Sequence, residues 1–178
     1  MNPLRAESAT RAWDDVLAGL RAMPNELEAT LRVFPAALLV WQPESWGGSP
    51  AENFSALGHA CHLRDIEADG YHVRIRRLLE ESGPSLISID GYELAAARRY
   101  HEADLSLALR AFGESRRTTI DMLRGLSPAQ LDRTGTFAEY GRLTLRALVH
   151  YLRSHDQQHL SGLQWLLGKM ASSGALPA

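Results

Sequence analysis

Apolar positions recur every three or four residues along almost the whole chain, and clean strand-length alternation is hard to find. The pattern predicts helices. A first one runs from about Ser8 to Met23, with Trp13, Val16, Leu17 and Leu20 on one side, and Pro24 interrupts it. Asn25 to Val33 forms a second piece carrying Leu27 and Leu31, with Phe34 just beyond it. Trp41 to Pro50 reads as a loop from its Pro, Gly and Ser content. Ser49-Pro50-Ala51-Glu52 has the form of a capping box and predicts a helix from Pro50 to about Glu81, ended by Gly83-Pro84. Residues 84–90 read as loop, and Asp90 caps a short helix toward Tyr100. A further long helix covers about Glu102 to Arg124, with Leu105, Leu109, Phe112, Thr119, Ile120 and Leu123 in register. Ser127-Pro128-Ala129-Gln130 is a second capping box, and Leu126 and Leu131 are spaced as a hydrophobic staple. Arg133 to Gly141 reads as loop, and the last long helix runs from Thr144 to about Met170, followed by a frayed tail. Four main helices predict an all-α fold, a four-helix bundle with short extra helices, in one domain spanning 1–178.

Composition narrows the function. The chain has 178 residues, 45% apolar and 22% charged, as in a globular protein with a substantial core. A net charge of -2 argues against a general nucleic-acid binder. No signal peptide or membrane span is visible, so a cytoplasmic location is expected. The single Cys61 excludes an intramolecular disulfide and any multi-cysteine zinc site. Seven histidines are then the plentiful nitrogen ligands.

Two of them interrupt an apolar seam. Continuing Leu145, Leu148, Val149 and Leu152 along the last helix leads to His155 or Asp156, then His159, then Leu163. His155 and His159 are four apart and share a face, where two imidazoles can bind one cation. Buried histidines need polar partners, and a metal satisfies both at once. A third ligand must come from another helix, and His59 and His62 are both candidates. His72, His101 and His150 read as surface or unrelated residues.

The segment His62-Leu63-Arg64-Asp65-Ile66-Glu67, the upstream Trp46, and YGRLTLRALVHYLRSHDQQHL with its His-x3-His resemble the DinB-like (DinB/YfiT-like) four-helix metalloenzymes over roughly residues 10–170. The resemblance implies an up-down-down-up bundle. It also implies a divalent metal on His62, His155 and His159, favouring His62 over His59, and a homodimer in many members. Activities in the family include metal-dependent hydrolysis and transfer or isomerisation dependent on a small thiol such as bacillithiol or mycothiol. The partner expected on this basis is a small-molecule substrate, with no nucleic acid and no membrane.

Three imidazoles would leave open positions on Zn, Ni or Fe for water or substrate. Such a metal can lower the pKa of bound water or hold a thiolate. A non-catalytic bundle with a stabilising or empty site, acting through dimerisation or partner binding, is the alternative. Asp65, one turn after His62, is the candidate catalytic carboxylate, orienting that histidine or acting as base. Glu67 points away from His62 and is expected to pair with Arg116 as a structural ion pair. Trp41 and Trp46 either line a pocket or close the bundle end.

Overall fold

The computed structural model describes residues 3–138 and 140–176, with side chains from residue 12 onward. In chain order the elements are α1 (Pro3–Leu31), α2 (Ala56–Asp65), a π-helical turn (Ile66–Tyr71), α3 (His72–Glu80), β1 (Ser85–Leu86), α4 (Gly91–Ala97), α5 (Leu105–Leu123), α6 (Pro128–Leu131), β2 (Thr134–Phe137), β3 (Gly141–Thr144) and α7 (Leu145–Ser172). Helices α2 and α3 with the turn between them make one continuous rod, so the bundle has four long members.

Their directions follow from the contacts. Leu20 of α1 meets Arg116 of α5, and Pro24 faces Gly113, so residue numbers rise on one helix as they fall on the other. His59 meets His159 and His62 meets His155, so α2 and α7 are likewise antiparallel. By contrast α1 runs with α7. Leu17 and Leu20 share a core cluster with Leu148 and Leu152, whereas Leu27 and Leu31 share one with Leu166 and Met170. Leu57 and Cys61 pack with Ala108, and Ile75 and Leu78 with Ile120 and Leu123, so the α2–α3 rod runs with α5. The order is up-down-down-up.

Several sequence expectations are corrected. Pro24 does not break α1, which continues through it. Proline has no N–H, so the carbonyl of Leu20 loses its helical donor. The Arg116 guanidinium supplies a replacement, donating to Leu20 O at 3.1 Å. The second long helix begins at Ala56 rather than Pro50. Ser55 is its N-cap, accepting from Gly58 N at 3.2 Å, and Ser49 instead donates to the Ala51 carbonyl. The Ser127 box is present as predicted, and Thr144 caps α7 by accepting from Ala147 N at 3.1 Å. Helix α7 ends at Ser172, and Ala175 and Leu176 pack on the core, whereas the last two residues of the predicted frayed tail lie outside the described residues.

The segments read as loops at 84–90 and 133–141 contain β1 and β2, and β3 runs on from Gly141 to the start of α7. Ser85 and Leu86 pair in parallel with Thr136 and Phe137, and β2 pairs antiparallel with β3, Thr134 facing Thr144. The strands are four residues or fewer, too short to show a period of two. They are held by their buried members, Leu86, Phe137 and Leu143, which join the core at one end of the bundle. No helix among the described residues is long and apolar enough to cross a membrane.

Candidate metal centre

The histidine site lies between α2 and α7, roofed by the loop that precedes α2. Because α2 starts late, the residues before it are free to cross the bundle, and Glu52 reaches the histidines instead of capping a helix. Trp46, earlier in the same loop, stacks on Trp165 of α7 with ring centres 5.8 Å apart. That stack fixes the loop to the helix carrying His155 and His159, and settles Trp46 as an apolar anchor.

Four side chains converge. His155 Nε2 lies 3.2 Å from His62 Nε2 and 3.1 Å from His159 Nε2. Glu52 Oε2 is 3.3 Å from His159 Nε2, and Glu52 Oε1 is 3.9 Å from His62 Nε2. The donor atoms of Glu52, His62, His155 and His159 all fall within 4.8 Å of one another. The structure thus brings together the three predicted histidines and adds a carboxylate that sequence reasoning had assigned to a capping box.

Electrostatics match this donor set. Burial drives every imidazole toward its neutral form, lowering His62 to about 4 and His155 to about 3. His159 is pushed well below its ordinary value, first by burial and then by the neighbouring histidines. Three neutral imidazoles whose Nε2 atoms meet cannot all donate to one another, so lone pairs face a common point. Glu52 Oε2 is buried there without a hydrogen-bond donor. A buried acceptor left unpaired is costly, and a cation at this point removes the cost. Tetrahedral Zn with ligand bonds of about 2.0–2.1 Å would separate its ligand atoms by roughly 3.3 Å. Three of the separations, 3.1, 3.2 and 3.3 Å, match that spacing, and the four donor atoms as a whole lie within 4.8 Å of one another.

His59 is next to the cluster but not in it. Its Nδ1 lies 2.7 Å from His159 Nδ1, and both rings are buried. If His159 presents an Nε2 lone pair to a metal, its proton is on Nδ1 and His59 must accept it. Burial followed by the nearby His62 lowers His59 to about 3, which keeps it neutral and able to do so. Two glycines make room. A Cβ on Gly91 would lie 2.6 Å from His62 Cε1, and one on Gly162 would meet Ala51 Cβ at 2.8 Å and His59 Cε1 at 3.0 Å.

Asp65 is not brought to the cluster. Arg64 donates to both of its oxygens at 2.6 and 2.9 Å, and Arg98 adds a contact at 2.9 Å. Burial alone would raise the Asp65 pKa, but these cations outweigh it and hold the carboxyl low. His62 Nδ1 has no hydrogen-bond partner, so Asp65 does not orient it as expected. One turn of spacing on a helix does not guarantee contact when arginines compete for the carboxylate.

Behind the site, Arg116 binds Glu67 at 2.7 and 2.8 Å, as the sequence predicted, and also Asp156 at 2.7 and 2.8 Å. Asp156 is completely buried rather than solvated, and burial lifts it to about 6. Thr119 donates to Glu67, and His72 bonds Ser115 O and Thr119, so His72 belongs to this network and not to the surface. The π-helical turn begins one residue before Glu67, and such bulges are common beside functional sites. His101 and His150 are exposed.

A model of the DinB superfamily matches residues 19–162. The chain belongs to the DinB superfamily. Among solved structures, this DinB member resembles YfiT from Bacillus subtilis, described as a probable metal-dependent hydrolase with an unusual four-helix bundle topology. The likeness has a TM-score of 0.77 at 21% identity and covers 89% of this chain and 87% of that one. At that identity it establishes the fold. No curated protein matches the chain.

Proposed function

We propose that this DinB-superfamily protein is a divalent-metal-dependent hydrolase acting on a small molecule. The observation that carries this reading is the convergence of three neutral imidazole nitrogens and one carboxylate oxygen at a single point, where His62 and His159 are buried and Glu52 and His155 half-buried. His62, His155 and His159 would hold the ion, and Zn, Ni and Fe all suit these ligands. The metal would supply a bound water of lowered pKa and polarise a substrate carbonyl.

The protein's own groups divide the remaining work. His59 fixes the orientation and tautomer of His159. Glu52, one-third exposed and 3.3 Å from His159 Nε2, would accept the proton that an attacking water loses. Cys61 is buried, and burial pushes its thiol up to about 11, so it offers no nucleophile. A small-thiol transferase would need its thiol from outside the chain, and an assay with a low-molecular-weight thiol and an electrophile tests that activity.

The same geometry favours a second reading. With Glu52 as a fourth ligand the site would be closed, as in structural metal centres. Metal analysis of tag-free protein separates the two. The hydrolase reading expects near-stoichiometric metal, lost in His62→Ala and His155→Ala. It expects Glu52→Gln to keep metal but lose about 100-fold or more in ester or amide hydrolysis. Metal loss in Glu52→Gln would establish the closed site, and a metal-free wild type would end both readings.

A further inference from the structure

Away from the histidines, a groove of about 400 Å³ runs between α1 and α5. Its opening depends on two residues with little side chain to fill it, Pro24 on α1 and Gly113 on α5, whose added Cβ would still stand 4.0 Å from the proline. Arg21 lines it from α1, Arg117 lines it from α5 and Arg124 from the residue that ends that helix, and Ile120 and Pro24 give it apolar surface. A second hollow of about 350 Å³ continues it past Arg117 to Arg110. Arg110, Arg117 and Arg124 are seven apart and so share one face, about 10.5 Å between neighbours along the axis.

The pairing of charges distinguishes this groove. Most arginines with a described side chain are spent on carboxylates, as Arg32, Arg64, Arg77, Arg98, Arg99, Arg146 and Arg153 are. Arg74, Arg76, Arg133 and Arg142 donate to backbone carbonyls or a hydroxyl. Among the arginines with described side chains, Arg21, Arg110 and Arg117 alone have neither a hydrogen bond nor an ion pair, and all three line these adjoining hollows. Arg116 forms part of the floor but is committed to Glu67, Asp156 and Leu20 O. Arg124 reaches Asp121 at 3.3 Å, a pair exposed on both sides and weakly held.

We propose that the α1–α5 groove is a binding site for an organic phosphate. The phosphate dianion accepts bidentate hydrogen bonds from Arg21 and Arg117, and an apolar body lies against Pro24 and Ile120. A guanidinium fork suits phosphate geometry, and two or more forks around one dianion exceed what a single carboxylate can use. A compact anion fits better than an extended polymer. A strand following the whole arginine stripe would meet Asp121 in one hollow and Glu28 in the next.

Calorimetric titration of the full-length protein with phenyl phosphate tests the site. Saturable one-site binding is expected, weakened about tenfold or more by Arg21→Ala or Arg117→Ala. Arg76→Ala, on the exposed face of α3, should leave binding unchanged. So should His155→Ala, which separates this site from the metal centre. The proposal is overturned by absence of saturation up to about 10 mM, by unchanged affinity in Arg117→Ala, or by binding that disappears in His155→Ala and survives in Arg117→Ala. Binding of a single-stranded DNA oligomer without binding of phenyl phosphate would also overturn it, in favour of a polymer surface.

Discussion

Replacing His59 with Phe should weaken metal binding although His59 is not a ligand. In the metal-bound form His159 must carry its proton on Nδ1, and the atom receiving that proton, 2.7 Å away, is His59 Nδ1. Phe keeps most of the ring volume, and so the contact with Phe54, whose ring centre is 6.0 Å from that of His59. It removes only the acceptor. A buried donor left without a partner costs about 1–3 kcal/mol, which corresponds to roughly five- to 150-fold in affinity. Losses of about 10- to 100-fold are usual when a partner of a metal-bound histidine is removed. Competition against a chromophoric chelator measures the affinity, and a urea midpoint shows that the fold persists. His59→Gln, whose side-chain oxygen can accept from His159, should recover much of the loss. Wild-type affinity in His59→Phe would refute the reasoning, as would a Gln variant no better than Phe with both proteins folded.

Other expectations follow from the same contacts. The buried histidines are neutral when folded, with His62 at about 4 and His59 and His155 at about 3, against about 6.5 in an unfolded chain. Between those limits the unfolded state binds more protons, so metal-free protein should lose stability as pH falls from 6.5 toward 4. The loss is at most about 1.4 kcal/mol per pH unit per histidine, and urea midpoints across that range would show it. Asp156, raised to about 6, acts in the opposite direction and offsets about one histidine. Arg116→Met should cost about 3–5 kcal/mol in chemical denaturation by leaving Glu67 and Asp156 buried without a cation, and adding Glu67→Gln and Asp156→Asn should recover part of it. Gly91→Ala should displace His62, because the new methyl would sit 2.6 Å from its ring, and chelator competition should show about tenfold weaker metal.

Much of this was legible in the residues. The spacing of His155 and His159 inside a leucine seam marked one wall of the site, and the long apolar periods marked the four helices. Arg116 announced its ion pair by interrupting a helix face. What escaped detection depended on contacts distant in sequence. Ser49-Pro50-Ala51-Glu52 satisfies a local capping pattern, yet Ser55 offers an equally good cap six residues later without a capping box. The tertiary demand of the histidines for a carboxylate gives Glu52 another place. Pro24 looked like a helix end because the arginine that replaces its missing donor lies 92 residues away, at Arg116. The strands were hidden by brevity, and Asp65 was misplaced because its neighbour Arg64 and Arg98, just past α4, together capture it.

That arginine also bears on how the chain unfolds. From α5 it grips a carbonyl of α1, a carboxylate of the π-helical turn and a carboxylate of α7. Detaching any one of the three helices would strand a charge or a carbonyl in an apolar interior. Fraying of a single helix at this level is therefore nearly as expensive as losing the bundle. Amide protons around Leu20, Glu67, Arg116 and Asp156 should exchange together, at the rate of global opening, while those of α4 and the sheet exchange sooner.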